Sequence, residues 1–177
     1  ELGEVNADAL KDTDGKLYPI QKTAEGAVAY VRHLPSKGYK TFAAVSTDAG
    51  QTTPFILIDD YTLDTPFYTI HLDTSGCFDR LYDKDNDREV LQAGKKGNLF
   101  RMYEDKPIYY DNWDVDIFYT EKCWDINDMT SMKWTECGPV RATLEIERKE
   151  SQSVIRQKIH FYADSRRIEF ETYVDWK

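Results

Sequence analysis

The chain has 177 residues, enough for one domain or for one domain with part of another. A body of that size buries about 70% of the surface its unfolded chain exposes. The 23 Lys and Arg residues stand against 32 Asp and Glu, a net charge of −9. That balance argues against nucleic acid and anionic membrane as partners, because phosphate recognition needs a cationic surface.

Hydrophobic residues make up 41% and charged residues 31%, the balance of a soluble globular protein. Cys77, Cys123 and Cys137 are odd in number and widely spaced. They suggest neither a disulfide framework nor a zinc knuckle. With no glycosylation sequon, leader pattern or apolar span, the expected setting is reducing and cytoplasmic.

Taken in chain order, the pattern predicts short strands over 17–21, 27–33, 39–46, 55–59, 67–73, 77–82, 99–103 and 115–119. Turn residues separate several of them: Asp14-Gly15, Pro35-Ser36-Lys37-Gly38, Asp48-Ala49-Gly50 and Ser75-Gly76. Residues 125–132 carry a weak signal for a short helix. Alternation is clearest toward the end. Val140, Ala142, Leu144 and Ile146 share one face, and Arg141, Thr143, Glu145 and Glu147 share the other. Ile155, Gln157, Ile159 and Phe161 repeat the pattern, as do Ile168, Phe170, Thr172, Val174 and Trp176. Three such runs joined by short polar turns predict an antiparallel meander. Strands every ten residues or so predict an all-β chain, an antiparallel β-sandwich.

Small and polar residues cluster over 47–53, and a boundary is placed there. Residues 1–47 are expected to form the end of a small β-domain or linking strands. Residues 48–177 are expected to form the N-terminal part of a large β-sandwich domain. A strong strand ends at Val174-Asp175-Trp176-Lys177. Natural sheets protect their edges, so further strands are expected beyond it.

Candidate chemistry is sparse. Asp83, Asp85, Asp87 and Glu89 alternate as in a calcium loop, but Arg88 and Gly94 stand where Gly and Glu are required. A solvated turn is the better reading. His33, His71 and His160 lack metal-ligand spacing, and no nucleophile elbow, phosphate loop or dinucleotide fingerprint occurs. One stretch stands out. Residues 97–116 hold five carboxylates, three Tyr and Trp113. Aromatic rings beside carboxylates suit carbohydrate, since rings stack on pyranose faces while carboxylates accept hydroxyl hydrogen bonds. Asp105, Asp111, Trp113 and Asp114 are the candidate contacts. The competing reading is a structured, hydrogen-bonded loop, with Trp113 buried and the loop pinned by its carboxylates.

Several phrases resemble glycoside hydrolase family 38, the α-mannosidases, and its bacterial and cytosolic branch most. Asp14-Gly15 with Pro19 and Gln21, then Leu34-Pro35-Ser36-Lys37-Gly38-Tyr39-Lys40, resemble the small β-domain after the catalytic domain. Asp73 with Gly76, Asp83-Lys84 and Arg88-Glu89-Val90-Leu91 resemble the start of the large β-domain. EDKPIYYDNWDVDIFY, GPVRATLEIER and IRQKIHFYADSRRIEFETYVDW complete the likeness, which runs from Asp14 to Trp176.

The resemblance implies a sandwich that is part of a galactose-mutarotase-like supersandwich. It implies a parent enzyme that hydrolyses α-mannosides with retention, whose nucleophile and zinc ligands lie in an N-terminal domain outside this chain. No catalytic residue, metal ligand or cofactor is therefore assigned here, and zinc is implied only for that catalytic domain. Gly97-Asn98-Leu99 resembles a segment that approaches the cleft, which adds Asn98 to the candidate contacts. Expected partners are a mannose-containing glycan, reached through the parent enzyme, and the rest of the same polypeptide. The alternative is a stand-alone carbohydrate-binding module.

Overall fold

The computed structural model describes residues 5–47 and 52–177. The turn expected at Asp48-Ala49-Gly50, and with it the centre of the 47–53 boundary, lies outside the described residues. The described chain is all β apart from one 3-10 turn, and every strand pairing is antiparallel.

The first sheet is built from β1 (Ala9–Asp12), β2 (Leu17–Thr23), β3 (Gly26–Ala29) and β4 (Phe42–Val45), in the order β3-β2-β1-β4. Sequence reading missed β1, whose four residues are too short to show alternation. Asp12 closes its turn. Its Oδ1 accepts the N–H groups of Asp14 and Lys16, and its Oδ2 accepts from Lys40 Nζ at 2.8 Å.

Two further sheets face each other. One contains β5 (Ile56–Leu57), β6 (Thr62–Asp64), β7 (Tyr68–Leu72), β8 (Phe78–Asp83) and β9 (Arg88–Glu89) in sequential order. A hairpin follows, of β10 (Arg101–Tyr103) and β11 (Cys123–Asp125). The last sheet is a meander of β12 (Met129–Cys137), β13 (Arg141–Glu150), β14 (Ser153–Tyr162) and β15 (Ile168–Asp175). Leu63, Ile70, Leu72 and Phe78 from one sheet meet Ala142, Leu144, Ile146, Ile159 and Phe161 from the other in a single core. This is a β-sandwich, and the inward residues of β13 and β14 are those that alternation selects. Leu144, for instance, sits opposite Ile159. Phe78 touches Phe161 and Phe170, and the Trp134 indole donates to the Asp60 carbonyl at 3.1 Å.

Two expectations are corrected. Residues 115–119 do not form a strand; Ile117–Glu121 is a 3-10 turn. Asp116 decides this, because its carbonyl accepts from the Tyr119 N–H and its side chain from the Ile108 N–H. Local turn bonding by Asp outcompetes the apolar alternation. Residues 125–132 are not helical; they end β11 and begin β12. Register shifts at Met129/Ser131 and Trp134/Glu136 break the period of two, which hides the strand from a pattern search.

The first sheet leans on the outer face of the meander, and Gln21 makes several of the bonds between them. Gln21 Oε1 accepts the N–H groups of Val140 and Arg141 at 3.0 and 2.9 Å, and its Nε2 donates to Glu136 at 3.4 Å. Gly138 makes room, since a Cβ there would lie 2.4 Å from the Gln21 side chain. Arg32 with Asp164 and Lys158 with Glu25 add ion pairs between the same two sheets.

The acid behaviour of the fold follows from two carboxylates. The Lys40 ammonium, then the Lys16 N–H and the Tyr18 hydroxyl, hold Asp12 down to about 2. The Asn86 amide, then Arg166, hold Asp83 down to about 2. Groups depressed on folding stabilise the protein above their unfolded value of 3.8, and lose that contribution as pH falls through about 2. The melting temperature is expected to be insensitive to these groups above pH 4 and to fall between pH 4 and 2. Asp83→Asn is expected to flatten part of that fall.

Candidate functional site

The candidate contacts do not form one site. Asn98 lies at the mouth of the sandwich in the left-handed region, with φ 57°. Its Nδ2 donates to Gln157 Oε1 at 2.7 Å, and its carbonyl accepts from the buried Cys77 thiol at 3.7 Å. Gln157 in turn donates to Thr172 Oγ1. The Asn98 side chain is thereby used to join the loop after β9 to β14.

Asp105, Asp111, Trp113 and Asp114 lie instead on an arm, residues 104–122, carried by the β10–β11 hairpin. All four are exposed, Trp113 to 88%. The expected burial of Trp113 is therefore corrected. Its N–H and that of Asp114 both bond the Tyr110 carbonyl, and this tight turn points the ring away from the body. Tyr110 itself has φ 55°. Of the loop's carboxylates, Asp116 does the expected pinning through the Ile108 N–H. Glu104 is bracketed by Lys106 and Lys122, and Lys122 first, then Lys106, lowers its pKa.

Two of the concave regions elsewhere on the molecule carry clustered charges. One, of about 540 Å³, separates the β2–β3 hairpin from the edge of the meander, where Gln21, Glu25, Glu136, Glu145 and Lys158 line it. The other, of about 630 Å³, crosses the outer face of the meander between Glu147, Arg156, Lys158, Glu171 and Tyr173. Three of their carboxylates pair with cations: Glu25 with Lys158, Glu136 with Arg141 and Glu147 with Arg156. Arg141 grips Glu136 with two nitrogens at 2.6 and 3.0 Å, and the Thr143 hydroxyl adds a bond at 2.9 Å. Burial pushes the Glu136 carboxyl up, but Arg141 and Thr143 outweigh it and the net displacement is downward. His160 is buried beside Thr143, and desolvation, then Arg141, lowers its pKa, so it stays neutral near pH 7.

Among the described residues, every carboxylate with a displaced pKa is displaced downward. Such groups accept hydrogen bonds and pair with cations. Protonating a glycosidic oxygen needs a carboxyl displaced upward. No three His, Cys, Asp or Glu side chains among the described residues are grouped to hold a metal ion.

Sequence reasoning missed the Gln21–Glu136–Arg141–Thr143–His160 network. Its members are scattered over 21–160, and only the pairing of β13 with β14 brings Thr143 opposite His160. Because Trp113 is exposed, Trp113→Ala is expected to change the stability of this chain by less than about 0.5 kcal/mol. The midpoint of denaturant unfolding measures it, and a loss of several kcal/mol would mean that the ring is packed.

Comparison with known proteins gives these features a family. Residues 63–177 match the model of the glycosyl hydrolases family 38 C-terminal domain. Alpha-mannosidase G of Dictyostelium discoideum is 31% identical over 123 residues, which are 66% of this chain and 11% of that protein. Alpha-mannosidase 2C1 of Mus musculus is 37% identical over 60 residues, 34% of this chain and 6% of that protein. The match thus spans about a tenth or less of the length of these relatives. With a sandwich of the expected class and a family match over most of its length, this chain belongs to glycoside hydrolase family 38, in the C-terminal domain of that family.

Proposed function

We propose that this chain is a non-catalytic β-domain of an α-mannosidase, a retaining glycoside hydrolase, and that it supports the catalytic domain and borders its cleft. The carrying observation is the C-terminal-domain match over 63–177, together with relatives whose names are α-mannosidases. The hydrogen-bonded or cation-paired state of the displaced carboxylates supports a structural role, because retaining hydrolysis needs a nucleophile and a proton-donating acid held about 5–5.5 Å apart. On this reading zinc belongs to the catalytic domain, and no step passes through a metal held by this chain. The glycan is met through the parent enzyme, and the rest of that polypeptide is the permanent partner. A cytoplasmic setting accords with the three free thiols of Cys77, Cys123 and Cys137.

One observation favours the second reading, a carbohydrate-binding module. Trp113 is 88% exposed beside exposed Asp111 and Asp114, which is how a sugar-stacking ring is presented. A mannobiose titration followed by tryptophan fluorescence separates the two, since a module binds and a supporting domain does not.

The purified chain is expected to leave an aryl α-mannoside intact, with or without added zinc. A polypeptide that carries the catalytic domain as well is expected to hydrolyse it and to lose activity to a chelator. Turnover by the 177-residue chain that disappears on changing one of its own carboxylates would overturn the proposal.

A further inference from the structure

The arm between β10 and β11 is the least self-sufficient part of the molecule. Among the described residues, nine of the twenty exposed large hydrophobics fall within 103–124, so the exposure is concentrated rather than scattered. Ile108 is 65% exposed, Tyr109 75%, Tyr110 74%, Val115 67% and Ile117 72%. Among the described residues, the hydrogen bonds and ion pairs of the arm close within it or onto its own hairpin. Glu104 N–H bonds the Lys122 carbonyl, Lys122 and Lys106 meet Glu104, and Arg101 meets Asp125. Tyr103 and Tyr119 stack edge to face across its base, 5.1 Å between centroids. A two-stranded hairpin is marginal alone in water, and contiguous apolar exposure on this scale marks an interaction surface.

We propose that residues 104–122 are the surface by which this domain docks onto the catalytic part of the same α-mannosidase polypeptide. The proposal rests on the functional reading above and deepens it by naming the contact. Three observations select the occupant. The arm carries Glu104, Asp105, Asp111, Asp114, Asp116 and Glu121 against Lys106 and Lys122, a net charge of −4. A second copy would bring two such arms together, and an anionic membrane would repel one, so the fitting surface is apolar protein with a rim of Lys and Arg. Ile108, Val115 and Ile117 are aliphatic and offer no flat face to a pyranose, so a glycan leaves these three of the nine uncovered. Relatives are about ten times longer than the region matched, which supplies protein surface within the same chain. An intramolecular contact is permanent, and permanent interfaces are the ones that tolerate this much apolar surface.

Hydrogen exchange on the full-length polypeptide tests the contact without any substitution. Amides of 106–119 are expected to exchange on the order of 100-fold more slowly than those of an open loop. Trp113→Ala in the same polypeptide is expected to release that protection and leave β13 and β14 protected. Open-loop exchange in a protein that still hydrolyses an α-mannoside would overturn the docking proposal and leave the functional reading intact. Protection in a protein with no α-mannosidase activity would overturn the functional reading and the identity of the partner together. Protection lost on dilution would assign the arm to a second copy. Protection that needs added mannobiose would assign it to a glycan. Either of these last two results overturns the proposal.

Discussion

Arg148 is the constraint on which the rest of the structure leans. It ends the inward row Ala142, Leu144, Ile146 on β13, so alternation forces a guanidinium into the sandwich, where its residue is fully buried. Removing that charge from water costs several kcal/mol unless partners replace the lost hydration. The partners come from the opposite sheet. Nε donates to the Ser75 carbonyl at 3.2 Å, and Nη2 to the Gly76 carbonyl at 2.7 Å. Both carbonyls belong to the turn between β7 and β8. Gly76 sits there at φ 71°, and a Cβ at that position would lie 2.9 Å from Arg148 Nη2. Nη1 takes no hydrogen bond, and the Phe100 ring lies 5.1 Å from the guanidinium carbon, where its π face attracts the cation. Burial lowers the Arg148 pKa, yet arginine is not deprotonated in proteins near neutral pH.

That one side chain ties three parts together. It joins the meander to the β7–β8 turn and both to Phe100, whose carbonyl accepts the Ile126 N–H across the root of the arm. Asn98 makes a parallel tie, from the same loop to Gln157 on β14. The arm is thus rooted on the rigid end of the sandwich while its tip stays bare. On the proposed reading, a support domain of a larger enzyme has this division: a core that holds its own shape, and a surface that is complete only against its neighbour.

Much of the sandwich was legible in the sequence because β13 and β14 obey a strict period of two and bury Leu144, Ile146, Ile159 and Phe161 on one face. The alternation extends into β15, but Phe170 and Val174 remain 43% and 46% exposed there, Phe170 despite its contact with Phe78 of the facing sheet. Strand β12 was hidden because two register shifts move Met129, Met132 and Trp134 off a single phase. The strand expected at 115–119 failed because periodicity sees Val115, Ile117 and Tyr119 but not the carbonyl and carboxylate of Asp116, which bend the chain. The candidate site was less legible. Composition marked 97–116 as unusual, yet a Trp flanked by Asp reads the same whether its ring is buried or bare. Direction is set by the tight turn onto the Tyr110 carbonyl, which depends on a left-handed Tyr that no pattern announces.

The central claim is that this chain shapes an α-mannosidase without taking part in its bond cleavage. A structure of the full-length polypeptide with a non-hydrolysable mannoside in the cleft tests it most directly. The account predicts that both carboxyl groups flanking the glycosidic bond come from outside residues 1–177, with Trp113 and Ile117 packed against the catalytic part. It would be contradicted by an Asp or Glu of this chain standing within hydrogen-bond reach of the glycosidic oxygen, with a second carboxyl about 5–10 Å away.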